Sequence, residues 1–194
     1  MVGVTVKFWR RWSSPIIAIA LVGLVWLLFL PNQFRAARLF SVNCAGCHLR
    51  ENRDQGSPFS DLMDGYWQWG GSRAQIDQSI RDGRNALMPP WLDSLSEDGV
   101  REVAEYVAGL VAGNDQDHPG KIQFDAFCVA CHGVDAAGNP VLGAPDLTDG
   151  MWLYGSSIEA ITESIRDGRQ GVMPGFADRL DDAQIRLLVN FLTR

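Results

Sequence analysis

The chain has 194 residues, is 46% hydrophobic and 21% charged, and carries a formal net charge of −6. That length holds one or two ordinary domains, and the composition excludes both a disordered tail and a protein of many membrane spans. The acidic balance argues against nucleic-acid binding, which needs a basic face.

The charge is unevenly spread. Residues 1–34 carry Lys7, Arg10 and Arg11 and no acid, which leaves 14 basic against 23 acidic residues in the remainder. Between the basic head and the acidic body, Ile16–Leu30 is fifteen apolar residues in a row, and with Trp12–Pro15 the uncharged run reaches nineteen. That is close to the ~20 residues that cross a bilayer core. Pro15 stands where a helix start tolerates it, and Trp12, Trp26 and Phe29 suit an interfacial or lipid-facing place. The positive-inside rule then puts the N-terminus in the cytoplasm and everything after Pro31 outside. A cleaved signal peptide is the alternative, but Pro31–Arg38 offers no small-x-small cleavage site. Residues 1–34 are therefore read as a basic head and membrane anchor.

Beyond the anchor the chain repeats itself. Cys44-Ala45-Gly46-Cys47-His48 lies over Cys128-Val129-Ala130-Cys131-His132 at an offset of 84 residues. One residue later in register, Asp61–Trp67 lies over Asp146–Trp152, Arg81–Arg84 over Arg166–Arg169, and Met88-Pro89 over Met173-Pro174. Two similar domains result, 35–111 and 119–194, joined by a linker at 112–118 whose Gly, Asn and Asp are turn formers.

Each repeat reads as helical. Phe40 and Phe124 stand four residues before the first cysteine of each pentad, on the same helical face. Ser72-x-x-Gln75 and Ser156-x-x-Glu159 look like capping boxes. They open short helices carrying Ile76 and Ile80, or Ile161 and Ile165, and ending at Gly83 or Gly168. Val100, Val103, Val107 and Leu110 form one terminal stripe, Ile185, Leu188 and Leu192 the other, with Tyr106 and Phe191 at equivalent places. Neither repeat shows an alternating strand, so the expected fold class is all-α.

Each Cys-x-x-Cys-His pentad has the spacing of a c-type haem attachment site. Two thiols on one helical turn reach the two vinyl groups along a porphyrin edge, and the next residue carries an imidazole to the iron. A thioredoxin-like pair would sit once, near a βαβ pattern. A zinc site has little use for a repeat a whole domain away. A disulfide within each pair explains neither histidine. Two copies consume Cys44, Cys47, Cys128 and Cys131, so the expectation is two covalently bound haems, with His48 and His132 as iron ligands. An ~80-residue unit buries too little to be comfortably stable alone, and a haem gives it a large apolar centre.

Of five methionines, only Met88 and Met173 match each other across the repeats, each before a proline. They fall 40 and 41 residues after their histidines, far enough for the chain to cover a haem and supply a sixth ligand from its other side. His/Met ligation raises the potential relative to bis-His ligation and leaves no open position. His118, the one histidine outside the pentads, lies in the linker and reads as solvated. Arg84 and Arg169, four residues before the methionines, fit bidentate contact with a haem propionate or, equally, a solvated helix end. Trp67 and Trp152 fit a haem wall or plain core packing.

The order Cys-x-x-Cys-His, Asp-Leu-x-Asp-Gly-x-Trp, Gly-Arg-x-x-x-Met-Pro and a terminal amphipathic helix, found twice after one membrane anchor, resembles the dihaem subunit III of cbb3-type cytochrome c oxidases, the CcoP or FixP family. The likeness spans residues 35–194 and is strongest over 143–192. It implies one transmembrane helix followed by two tandem class I cytochrome c-like domains, in the bacterial inner membrane with the haem domains periplasmic. It also implies His48 with Met88 on one iron and His132 with Met173 on the other. The implied role is electron input from a cytochrome c donor, beside a haem-copper catalytic subunit and a monohaem cytochrome subunit, with no catalysis by this chain itself. The alternative is a free-standing, membrane-tethered dihaem carrier. A peroxidase with one five-coordinate haem is disfavoured by two His/Met sites.

Overall fold

The structure is a computed structural model of the chain and describes residue 19 and residues 32–48, 59–113 and 117–193. The membrane run Ile16–Leu30 lies, but for Ile19, outside the described residues. Among the described residues, no helix is long and apolar enough to cross a membrane.

In chain order the elements are α1 (residues 32–43), α2 (Ala45–His48), α3 (Arg73–Asp82), β1 (Arg84–Met88), α4 (Leu92–Leu110), α5 (Gly120–Phe127), α6 (Val129–His132), α7 (Ile158–Asp167), β2 (Arg169–Met173) and α8 (Asp182–Leu192). The fold is predominantly helical, as the periodicity implies. The all-α expectation needs one correction, because β1 and β2 pair antiparallel into a two-stranded sheet. Each strand is five residues long and its partner lies in the other repeat, so no local pattern marks it.

Local chemistry sets the helix ends. Ser72 caps α3 with the full reciprocal box, its side chain accepting from the Gln75 amide while the Gln75 side chain accepts from the Ser72 amide. In the second repeat the cap is Ser157, one residue beyond the expected Ser156. Its hydroxyl accepts from the Ala160 amide at 3.2 Å, and the extended backbone of Ser157 makes it the residue that faces the open helix end.

The apolar stripes close into two cores, and neither core is built from one repeat. One joins Phe40, Ile76 and Ile80 to Phe176, Leu180, Ile185, Leu188 and Val189. The other joins Leu95, Val100, Val103, Tyr106, Val107 and Leu110 to Phe124, Ile161 and Ile165. The terminal helix of each repeat thus packs on the front of the other repeat. The aromatic pairs are reciprocal as well: Phe40 lies 5.7 Å from Phe191, and Phe124 lies 5.2 Å from Tyr106. So are the backbone bonds, with the Trp91 amide donating to the Ile165 carbonyl and the Phe176 amide to the Ile80 carbonyl.

Chain connectivity explains this exchange. Only residues 111–119 separate α4 from α5, and a short connection favours direct packing of the helices it joins. Gly120 lets them approach closely, since a Cβ there would stand 2.1 Å from the Glu102 carbonyl oxygen. With α4 committed to α5, α1 is left to α8.

The crossing points of the two strands require glycine. Gly83 and Gly168 have φ of +75° and +72°, and a Cβ on them would stand 2.3 Å from the Met173 carbonyl oxygen and 2.5 Å from that of Met88. We therefore expect Gly83→Ala or Gly168→Ala to lower unfolding stability by about 1–3 kcal/mol in denaturant titrations of the haem-loaded protein. Gly171→Ala, where a Cβ meets nothing within 4 Å, should change it by less than about 0.5 kcal/mol.

Candidate functional site

Each pentad is one helical turn running on from the helix before it. The Cys44 amide donates to the Phe40 carbonyl and the His48 amide to the Cys44 carbonyl; Cys128 and His132 repeat both bonds with Phe124 and Cys128. This places both cysteines and the histidine of a pentad on a single turn. None of the four cysteines is in a disulfide. Cys44 and Cys128 are half-buried against the cores, whereas Cys47 and Cys131 are exposed. Burial, with the neighbouring Cys47, pushes the Cys44 thiol up; burial, with Cys131, pushes Cys128 to about 11.

The two imidazoles are held alike. His48 Nδ1 lies 2.9 Å from the Ser60 carbonyl oxygen, and His132 Nδ1 lies 3.1 Å from that of Pro145. With Nδ1–H donating to a carbonyl, the lone pair stands on Nε2, the form that ligates a metal. His132 is buried, which pulls its pKa below the ordinary histidine value; the bond to Pro145 works in the opposite direction. Burial thus favours the neutral imidazole, the form that ligates a metal.

The methionines lie at opposite ends of the small sheet. In its register Arg84 stands opposite Met173 and Met88 opposite Arg169. Alternation along β1 and β2 puts Arg84, Ala86, Met88, Arg169, Gly171 and Met173 on one face. Met88 packs against the core that Cys128, Val129 and Trp152 adjoin, and Met173 against the core that Cys44, Leu39 and Trp67 adjoin.

Both arginines are anchored, so neither is a freely solvated helix end. Arg84 donates through Nε to Ser79 Oγ at 2.8 Å and lies over the Trp69 ring at 4.9 Å. Arg169 donates to Ser164 Oγ at 3.0 Å and to Glu163 at 2.9 Å, and lies over Tyr154 at 4.5 Å. Trp67 packs against the same core as Cys44, and Trp152 against the same core as Cys128. His118 is placed apart from the pentads, where its Nδ1 accepts from the Gly120 amide at the start of α5. Among the described residues, no three His, Cys, Asp or Glu side chains gather as a metal-binding group.

Sequence reading missed the platforms Trp69 and Tyr154 and the tethers Ser79 and Ser164. A signal was present: each serine stands five residues before its arginine, and each ring fifteen before it, in both repeats.

The arrangement fits a c-type haem at each pentad. Two thiols share a turn, an imidazole has only Nε2 left to offer, and thioether, indole and aliphatic groups surround them. The family model described as cytochrome c oxidase, cbb3-type, subunit III matches the chain twice, over residues 32–107 and 115–192. The chain belongs to that family.

Among curated relatives, the chain is similar to the cbb3-type cytochrome c oxidase subunit FixP of Sinorhizobium medicae (strain WSM419), 37% identical over 168 residues, 80% of this chain and 58% of the relative. It is similar to FixP of Bradyrhizobium sp. (strain ORS 278), 38% identical over 169 residues, 79% and 58%. Subunit CcoP of Rubrivivax gelatinosus is 36% identical over 155 residues, 78% and 50%. The chain thus spans about half the length of the curated relatives it matches. Membership with two tandem matches carries the cofactor content of the chain: two covalently bound c-type haems.

Because Cys44 and Cys128 pack against the cores, haem attachment there is expected to be coupled to folding. Chain made without haem attachment should show no cooperative thermal transition by circular dichroism, whereas the haem-loaded protein should show one. A compact, cooperative haem-free chain would contradict this coupling.

Proposed function

We propose that the chain is the electron-input subunit of a cbb3-type oxidase, tethered to the bacterial inner membrane by its apolar run and exposing both haem sites to the periplasm. The observation that carries this reading is the doubled pentad, each copy with its own carbonyl-held imidazole and a methionine on the shared sheet. When bound, the haems supply one-electron exchange between ferric and ferrous iron. Cys44 and Cys47, and Cys128 and Cys131, hold them through thioether bonds. His48 and His132 would hold the iron through Nε2 and Met88 and Met173 through their thioethers, a ligand set that would supply one-electron exchange without a substrate binding to metal. Arg84 and Arg169, fixed by their serines and stacked rings, bind propionates. Trp67 and Trp152 wall the porphyrins beside the cysteines.

The acidic body docks a basic cytochrome c donor, from which electrons arrive one at a time, oxidising the donor and reducing this chain. They leave toward a haem-copper catalytic subunit, with a monohaem cytochrome subunit alongside. Nothing in this scheme asks the chain to perform catalysis or to bind nucleic acid. Relatives named as oxidase subunits support it, and the basic head Lys7, Arg10 and Arg11 supports a cytoplasmic N-terminus.

Two measurements test the proposal. Met88→His and Met173→His should each abolish the far-red sulfur-to-iron charge-transfer absorption of one ferric haem and lower one of the two midpoint potentials; unchanged spectra would remove the methionines from the ligand set. Purification in mild detergent should bring copper and b-type haem along with the chain. A particle holding c-type haem alone would instead support the tethered carrier.

A further inference from the structure

We propose that Gln68 and Trp69, from the first repeat, are positioning residues for His132 in the second. They clamp the loop that presents the Pro145 carbonyl, and through that carbonyl they set the donor strength of the His132 imidazole. The inference rests on the reading of His132 as an iron ligand. It adds which residues fix the basicity of that ligand, and that only one of the two sites has them.

Pro145 offers its carbonyl oxygen to His132 Nδ1 at 3.1 Å, and His132 is 8% exposed. Such an outer hydrogen bond fixes the tautomer and orientation of the ring and raises the basicity of the nitrogen left for the metal. Its strength depends on where the carbonyl sits, and hence on what holds residues 143–145. The near side of this loop is tied within its own repeat. Asn139 and Ala144 exchange backbone bonds at 2.9 and 3.1 Å, and the Gly138 amide donates to the His132 carbonyl at 2.9 Å.

The far side is held from the other repeat. Gln68 donates through Nε2 to the Gly143 carbonyl, across 75 residues of sequence. Gly143 is buried, and a Cβ on it would overlap the Trp69 ring. Its φ of +71° asks for glycine as well. Trp69 is in turn backed by Arg84, which lies over the ring at 4.9 Å and is tied to Ser79 Oγ. Tyr66, on the same loop as Gln68, lies near the chain leaving Pro145: burial and the carboxylates of Asp149, Asp146 and Asp64 push its phenol up to about 12. Only Ala144 separates the clamped Gly143 from Pro145, whose ring fixes φ and leaves little slack between them.

The second repeat cannot return this bond. At the offset of 85 residues Pro145 lies over Ser60, which holds His48 in the same way, and Gly143 lies over Pro58. Gln68, however, lies over Leu153, which has no side-chain donor. One imidazole is therefore braced from the opposite repeat by a hydrogen bond that the other lacks. A more basic imidazole favours the ferric state, so the clamp lowers the potential at the Cys128–Cys131 pentad and helps to set the two centres apart.

The test compares the intact dihaem chain in mild detergent with its Gln68→Leu variant, which puts at 68 the residue type found at 153. Redox titration followed by visible absorption reads both midpoint potentials. Labelling with 15N-histidine reads the Nδ1–H of each ligand histidine in the ferrous protein, assigned by nuclear Overhauser contact with Pro145 or Ser60. We expect one haem to become easier to reduce by about threefold, the size of a partly weakened neutral hydrogen bond, or ~28 mV at about 59 mV per decade for one electron. The His132 Nδ1–H should exchange faster with water while that of His48 is unchanged. Gln68→Met, of similar length and without a donor, gives the same readings should the first variant not fold. Equal shifts at both haems would make Gln68 a general packing residue and overturn the clamp, as would unchanged potentials and exchange. A wild-type chain with no ring-current-shifted histidine Nδ1–H would overturn the ligand reading itself, and the clamp with it.

Discussion

The antiparallel pairing of Arg84–Met88 with Arg169–Met173 is the constraint on which the rest of the molecule depends. Ten residues hold together two cores that would otherwise meet only through loops and linker. The pairing decides which end of each strand lies at which pentad, and it brings Gly83 and Gly168 against the backbone of the opposite strand so closely that no side chain fits. A five-residue ladder is weak alone. Here it is bracketed by helix packing at both ends, so its register cannot slip without displacing α4 and α8 together.

Reciprocity is the result of this pairing. The aromatic and backbone contacts that tie the first repeat to the second have counterparts running the other way: Phe40 with Phe191 and Phe124 with Tyr106, the Trp91 amide with Ile165 and the Phe176 amide with Ile80. Ion pairs are less symmetric. Arg81 bridges Asp77 to Asp182 and so links α3 to α8, while its counterpart Arg166 pairs with the adjacent Asp167. These pairs are half-exposed or exposed, and such pairs contribute little. The exchange is therefore maintained by apolar burial and backbone pairing, with charge decorating its rim. For an electron carrier such a frame is useful, because rigid placement of two redox centres keeps the reorganisation on electron exchange small. The frame holds both imidazoles by backbone carbonyls and both arginines by serines and aromatic rings, so few groups at either site are left to rearrange.

Much of the site was legible without coordinates. The pentads, the two matched methionines, the arginines before them and the tryptophans are all visible as a doubled pattern, and the helices that carry them are evident from capping residues and apolar stripes. The two-stranded sheet escaped notice because its hydrogen bonds join residues far apart in sequence. Ser157 in place of Ser156 was a choice between adjacent serines that only backbone dihedrals resolve. Trp69 and Tyr154 carry no signal of their own because their partners, Arg84 and Arg169, become neighbours only after α3 and α7 turn the chain back.

What the residue order determined by itself is the local chemistry: thiols and imidazole on one turn, glycines at helix ends, an apolar stripe on each terminal helix, and family membership. All of these are set by neighbours within a few positions, or by recurrence of a motif. The tertiary structure alone decided which front half meets which back half. Two repeats with the same pattern offer two similar sets of mating surfaces, so composition and periodicity do not distinguish them. The short connection between α4 and α5 favours one outcome because it makes those helices immediate neighbours, at little cost in chain entropy.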